Sequence, residues 1–475
     1  MKRKMIWRPI LVVLSLFSLG LVGSPAQASV AGAWKAYQQN PHSYLRVAAE
    51  LMGANLNFAA VPFLKEYLIT TARPSKAFDL LLERSILAVG IKQYEILSAD
   101  ILGKSNAPSV RYILAKKLVR QKKYDAAIRE LNRAMSEEQA AAPFAKMLLA
   151  SIYSLQRKTD LAVAAYRDCE YISQKHLNKA KNPTLVRQLK INRDYCVIGV
   201  PRTLFAAGKF AEAESAYLDL PKESYVWPEI LFEEAWNSFY KRDYNRTLGK
   251  LVTYKAPVLD FVFNPEVEIL NAFAYMELCL WADVNEAVED YYRTYQSDAK
   301  SIENFVKNNR DYRIYYNMAQ KSKQGVLQLN PLLDKMLLSI VRDPAYQEMD
   351  AAFWRGREEI QRVENITTGL RKVLGMNLTQ SLTVQRNMIG AYVRRIILNY
   401  LREIKKGLEG MSYIKLEVLS RKRADLLSNE KFVERGRGDV RYLQRTSKQY
   451  FWTFNGEFWA DELGDYVFAL RSECR

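Results

Sequence analysis

Apolar residues along this chain recur at three- and four-residue spacing, with small side chains set among larger ones, which is the period of amphipathic helices rather than of strands. The pattern also repeats. Segments 108 to 142 and 143 to 177 align without gaps, so that Leu114, Ala115, Leu118, Tyr124, Ala127, Leu131 and Ala134 correspond to Leu149, Ala150, Tyr153, Thr159, Ala162, Tyr166 and Cys169. Small residues fall where two helices of one unit approach closely, and larger apolar ones fill the space between. Further units are expected at about 194 to 227, 228 to 261 and 268 to 300. The fourth carries Ala235, Asp243, Tyr244, Thr247 and Leu251, and the fifth Tyr275, Leu278, Ala287 and Tyr291. An insertion rich in Lys, Asn and Arg near 173 to 192 extends the helices on either side. Upstream, residues 29 to 107 keep helical periodicity, as at Ala77, Leu80, Leu81, Ile86 and Leu87, with Pro41, Pro62 and Pro74 as breaks. They read as degenerate repeats beginning the same array.

The turn-and-helix segments Lys123-Tyr124-Asp125-Ala126-Ala127-Ile128 and Gly208-Lys209-Phe210-Ala211-Glu212-Ala213 resemble the tetratricopeptide repeat family, and the offset of 35 residues between the first two units is close to that family's period of about 34. The units depart from the family pattern. The early tryptophan is missing from the first two, Pro201 takes the place of a small helical residue in the third, and Thr247 replaces alanine in the fourth. The resemblance implies a TPR-like α-solenoid over 108 to 300, each repeat buried only against its neighbours, with one continuous concave surface suited to binding. It also implies that the first helix of each repeat lines that groove. The partner-binding candidates are then Tyr112, Lys116 and Arg120 in the first unit, Arg202 and Phe205 in the third, and Phe232, Trp236, Phe239 and Tyr240 in the fourth. Those last four form the most aromatic turn of helix in the array. They suit a hydrophobic anchor flanked by basic residues, and equally the ordinary packing of one helix on the next.

Beyond about residue 330 the pattern changes. Residues 301 to 349 read as a helical linker, and long stretches from Ala351 to Leu374, Leu382 to Leu408 and Ile414 to Leu427 read as long antiparallel helices or a short coiled coil. The complete prediction is therefore an all-α chain, a repeat solenoid followed by a long-helix, coiled-coil-like domain over 350 to 430 and a C-terminal segment from 431 to 475. Met388, Tyr392, Ile396, Ile397, Tyr400 and Leu401 mark a buried stripe. Residues 351 to 450 hold 21 Lys and Arg against 10 Asp and Glu, and Arg394, Arg395, Arg402, Lys405 and Lys406, followed by Arg421, Lys422 and Arg423, form a candidate docking face for an acidic protein or an anionic lipid surface. A solvated face is the plainer reading of such a run. The end of the chain, from Tyr450 to Tyr466, is acidic and aromatic. It either docks on the basic helices of its own chain or recruits a partner, and burial is favoured because so many exposed rings promote aggregation. Its run from Phe454 to Gly464 is similar to the ends of exported repeat proteins of predatory and gliding bacteria.

At the N-terminus Lys2, Arg3, Lys4 and Arg8 precede an apolar run from Ile10 to Val22 and then Ala26-Gln27-Ala28. This is the layout of a cleaved secretory signal over residues 1 to 28, leaving Ser29 first. No cysteine follows the apolar run, so lipidation is not expected and the expected location is the periplasm. The net charge of +18 falls to +14 without the signal's four basic residues, which favours anionic partners, and export argues against nucleic acid. In an oxidising compartment Cys169, Cys196, Cys279 and Cys474 can pair. Cys169 and Cys196, on consecutive predicted helices, are the first candidates, although Cys169 also suits a buried thiol in a repeat core.

Nothing points to catalysis. The two histidines, His42 and His176, are far apart, and no nucleophile arrangement, zinc spacing or glycine-rich phosphate loop is present. Glu358-Glu359 and Asp461-Glu462 are adjacent pairs that do not face each other on a helix. No cofactor or metal is expected. The reading is a non-enzymatic periplasmic scaffold that binds a protein or peptide in its repeat groove, in an envelope or motility complex. The alternatives are a cell-wall enzyme or a regulator of one, with the repeats as adaptor, or a structural or lipid-binding envelope protein.

Overall fold

A computed structural model describes residues 25 to 133, 136 to 326, 330 to 426, 440, 443 and 445 to 474. Residues 1 to 24, which hold most of the expected signal, lie outside the described residues, as does Ala134; so do the side chains of Lys422 and Arg423. The described chain is helical apart from two short strands. α1 (Pro25–Gln39), α2 (Tyr44–Gly53), α3 (Asn57–Thr70), α4 (Lys76–Val89) and the single turn α5 (Ala99–Leu102) precede five helix pairs. These are α6 (Pro108–Arg120) with α7 (Tyr124–Arg133), α8 (Ala142–Leu155) with α9 (Thr159–Leu177), α10 (Pro183–Ala206) with α11 (Phe210–Tyr217), α12 (Trp227–Tyr240) with α13 (Tyr244–Val252), and α14 (Glu266–Glu277) with α15 (Trp281–Asn308). These five pairs occupy the span over which repeat units are expected, and the basic insertion lengthens α9 and α10.

One local device builds every pair. The residue that ends the first helix adopts a left-handed conformation, at Lys122, Arg157, Gly208, Arg242 and Cys279, with φ between 56° and 76°. The next N–H then reaches back to the first helix, as in Lys123 to the Leu118 carbonyl, Lys158 to Tyr153, Lys209 to Leu204, Asp243 to Ser238 and Leu280 to Tyr275. Such a cap satisfies carbonyls that the helix end would otherwise orphan and turns the chain back on itself. Asn55 has the same conformation, and Leu56 donates to Leu51, so α2 and α3 form a pair of the same kind within the degenerate N-terminal region. The fold is an all-α, TPR-like helical array.

The C-terminal helices are α16 (Tyr312–Lys323), α17 (Pro331–Arg342), α18 (Pro344–Glu364) and α19 (Leu370–Leu426). Here the structure corrects the sequence reading twice. The expected linker over 301 to 349 is part of a packed bundle, in which Tyr315, Met336, Leu337 and Ile340 of α16 and α17 are buried against Ile389, Val393, Ile397 and Ile404 of α19. The three expected helices of the C-terminal third are two, separated at Asn365 to Gly369. α19 runs unbroken through Gly375, Gly407 and Gly410 for 57 residues, about 86 Å at 1.5 Å per residue. Its glycines do not end it because packing overrides their weak helix propensity; at Gly407 the missing side chain makes room for the Tyr291 hydroxyl of α15.

α18 and α19 bridge the two ends of the array. Near its start α19 contributes Leu370, Leu374 and Leu378 to the core of α1 to α6, together with Ala352 and Val363 of α18. Near its end, Met411, Ile414 and Val418 pack on Ala272, Val284 and Tyr291 of α14 and α15. Two disulfides add covalent ties, Cys169–Cys196 between α9 and α10, and Cys279–Cys474 between the turn of the fifth pair and the end of the chain. Among the described residues no helix is long and apolar enough to cross a membrane.

The C-terminal segment docks on its own chain, though not on the basic helices. It lies against the second helices of the third and fourth pairs. Strands β1 (Trp452–Thr453) and β2 (Tyr466–Val467) pair in parallel, and Leu463 and Tyr466 enter the core formed by α10 to α12. Asn245 of α13 clasps Leu470, accepting from its N–H at 2.9 Å and donating to its carbonyl at 3.1 Å. Lys222 reaches the Asp465 carboxylate at 2.8 Å. The attraction between acidic tail and basic surface that the sequence suggests is met by lysines of the repeats.

Candidate functional site: an aromatic stripe and an acidic cleft

Five of the six aromatic groove candidates come together; Tyr112, on α6, lies apart from them, 6.4 Å from the Phe144 ring. On α12, Phe232, Trp236, Phe239 and Tyr240 follow the helical period, and consecutive ring centroids lie 5.6 to 6.3 Å apart. Phe205 at the end of α10 meets Tyr240 at 5.5 Å, and Phe210 of α11 stacks on Tyr240 at 5.3 Å. On the other side, Phe239 approaches Phe273 of α14 at 6.4 Å. The stripe thus crosses three repeats. Its rings are half-buried except that of Tyr240, which is 54% exposed. Phe210 and Phe273 escaped the sequence reading, yet a signal for one existed. Phe205, Phe239 and Phe273 are spaced by 34 residues, so they hold one position in three successive units.

The basic candidates behave differently, because each is answered by a carboxylate of its own chain. Lys116 lies 2.6 Å and Arg120 3.9 Å from Glu95, which Lys92 also reaches at 2.9 Å. Burial alone would raise the Glu95 carboxyl, but Lys116 and Lys92 beside it outweigh that effect and bring it down to about 2. Burial raises the Tyr112 hydroxyl, with Glu95 and Glu348 adding to the effect. Lys116 sits 5.6 Å from the Tyr112 ring centroid. Arg202 pairs with Glu233 at 2.5 Å and Glu229 at 3.1 Å. The expected basic flank of the groove is therefore neutralised, since repeats that bury arginine or lysine stems must supply counter-charges.

Below Phe232 the stripe opens into a cleft of about 400 Å³ between α12, the loop leading to α14, and α17 and α19 of the bundle. Its walls are Tyr225, Phe232, Tyr254, Phe261, Phe263 and Tyr400, with the Phe263 and Tyr400 rings 4.7 Å apart. Its polar lining is acidic: Glu229, Glu233, Glu266, Asp343 and Glu403, with no Lys, Arg or His among the described lining residues. Asp343 caps α18 and accepts from the Tyr392 hydroxyl at 2.7 Å. Glu266 and Glu403 make no ion pair among the described residues. Burial and then the nearby Glu266 raise the Glu403 carboxyl. No spacing rule could have assembled this cleft, whose carboxylates come from α12, α14, α19 and the junction of α17 with α18. Among the described residues no group of three His, Cys, Asp or Glu is placed to hold a metal ion.

The candidate docking face on α19 is partly turned inward. Arg394 donates to the Val306 carbonyl at 3.3 Å and lies over Tyr315. Arg395 lies over the Tyr392 ring at 5.1 Å, and Arg402 bonds the Leu398 carbonyl and the Asn399 side chain of its own helix. Arg395, Arg402, Lys405 and Lys406 are exposed. Further along the helix Tyr413, Leu416 and Leu419 are exposed as well.

No protein-family model matches this sequence, and no curated protein does. Among solved structures, the apo form of RapI aligns with 80% of this chain and 99% of its own, at 12% identity and a TM-score of 0.34. A Rap protein complexed with competence and sporulation factor aligns with 76% of this chain and 100% of its own, at 13% identity and a TM-score of 0.31.

Proposed function

We propose that this protein is a non-enzymatic binding scaffold of the periplasm, in which the first-helix side of the third to fifth repeats holds a segment of a partner protein. The observation that carries this reading is the stripe of partly exposed rings on three successive first helices. A stripe that served packing alone would be closed over by the chain, whereas Tyr240 and its neighbours keep one side open. Rigid rings on a rigid array give large contact area at low entropic cost, the character of binding hot spots. Export is supported by the layout of the first 28 residues and by the pairing of all four cysteines, which suits an oxidising compartment. On α19, exposed Arg395, Arg402, Lys405 and Lys406 followed by Tyr413, Leu416 and Leu419 suit an anionic envelope surface, lipid or acidic protein. An envelope or motility assembly is the setting in which such a two-sided adaptor serves.

The test is a photo-crosslinking residue introduced at Tyr240 in the native host, with the same residue at Leu161 as control; Leu161 is 53% exposed, on the second helix of its pair. Mass spectrometry should recover a defined set of envelope proteins from the Tyr240 position and not from Leu161. The same background from both positions would sink the reading.

A further inference from the structure

The acidic cleft runs against the character of the whole chain. The protein carries 70 Lys and Arg against 52 Asp and Glu, yet five carboxylates and six aromatic rings line this one cavity, with no Lys, Arg or His among its described lining residues. Two of the acids, Glu229 and Glu233, share Arg202, and Asp343 is spent on a helix cap and the Tyr392 hydroxyl. That leaves Glu266, exposed at the start of α14, and Glu403, midway along α19, as the lining carboxylates that make no ion pair among the described residues. Half-burying a carboxylate beside another disfavours its charged form. Burial and then Glu266 raise the Glu403 carboxyl, against the opposing effect of Arg402 and Lys406. The walls add a second preference. Ring faces attract ammonium and guanidinium groups, more strongly when water is displaced, and the chain itself already places the Arg342 guanidinium 4.4 Å from the centroid of Phe261. About 400 Å³ is ample for one long side chain with the backbone that presents it.

We propose that the cleft receives a lysine or arginine side chain of the partner polypeptide, held between aromatic walls and charge-paired by Glu266 and Glu403. This rests on the reading of the aromatic stripe as a partner site and adds the chemistry of the partner, a segment whose apolar residues lie on the stripe while a basic residue enters the cleft. Repulsion from the strongly basic remainder of the chain makes the cleft a selective point of entry, because a basic segment that misses it meets like charge.

The test uses the full chain from Ser29 and a fluorescein-labelled hexapeptide of alternating arginine and leucine, followed by fluorescence anisotropy at about 0.15 M salt, where exposed charges are screened beyond ~8 Å. The same peptide with glutamate for arginine is the comparison. The arginine peptide should bind at least roughly tenfold more tightly than the glutamate peptide, and Glu266→Gln with Glu403→Gln should remove that preference. The double variant relieves repulsion, so its Tm should be unchanged or higher, and loss of binding will not reflect unfolding. Absence of binding by the arginine peptide, or equal binding by wild type and the double variant, overturns the proposal. A Trp236→Ala, Tyr240→Ala variant separates the two readings. If it loses the peptide while the glutamine variant keeps it, the stripe stands and the cationic cleft falls; if only the glutamine variant loses it, the cleft stands and the stripe falls. If neither loses it, both fail.

Discussion

Glu359 on α18 caps the start of α3, its Oε2 accepting from the N–H of Phe58, 301 residues before it, at 2.9 Å. Its other oxygen accepts from the Ala59 N–H at 2.9 Å, so one carboxylate satisfies two of the orphan donors at the start of α3. Glu359 is 1% exposed. The bridge between the C-terminal bundle and the first repeats is thus a polar anchor within an apolar interface. Glu359→Ala leaves both N–H groups buried and unpaired, and should cost about 2–4 kcal/mol in chemical denaturation. Glu359→Gln, which keeps one acceptor, should cost less. Equal, small losses in both variants would show that the cap contributes only shape.

Glu95 predicts an acid-sensitive contact between α6 and the loop after α4. Its carboxyl is depressed from 4.5 to about 2. The folded state therefore holds on to the charged form, and the stabilisation is present above about pH 4.5 and lost as the pH falls toward 2. A Glu95→Gln variant lacks that term. Its denaturation midpoint should lie below wild type at pH 7, and the gap should shrink as pH is lowered from 4.5 toward 2. A constant gap across that window would show that the pairs with Lys116 and Lys92 do not couple to protonation.

The docked tail depends on one residue without a side chain. A Cβ at Gly249 of α13 would run into the Tyr466 carbonyl, and α helices do not yield easily at such a contact. Gly249→Ala should release β2, exposing Phe454, Phe458 and Phe468, which lie in the tail's aromatic cluster. Limited proteolysis should then cut between 445 and 470, with the fragment retained through Cys279–Cys474 until a reductant is added. Cys474→Ser with Gly249→Ala should lose the fragment outright and lower stability by a further 2–4 kcal/mol or so, as expected for opening a long disulfide loop. Wild-type resistance in the Gly249→Ala variant would refute the close-packed docking.

The paired helices were legible in the sequence because each unit repeats its own local chemistry. Ala115, Ala127, Ala150 and Ala162 are small where helices touch, and in the structure all four are fully buried. Leu131 and Tyr166 likewise occupy corresponding buried positions. Period and size are short-range properties, so they survive without knowledge of the fold. The aromatic stripe was half legible for the same reason: Phe232, Trp236, Phe239 and Tyr240 share one helix face, and the 34-residue register leads from Phe239 to Phe273.

What the tertiary structure alone decided lies in contacts between distant segments. The left-handed turn residues Lys122, Arg157, Arg242 and Cys279 are not glycine, so composition does not mark them. Arg202, Lys116 and Arg120 read as free groove cations until the fold brings Glu229, Glu233 and Glu95 to them. Glu266 and Glu403 meet at one cleft only because α19 lies along α14, and Glu359 reads as one member of an adjacent pair until α18 reaches α3. Charge pairing acts over a few ångströms in space whatever the separation along the chain. Sequence by itself therefore determined the repeat, its helices and its apolar faces, and folding determined which charges are answered and which are left facing a cleft.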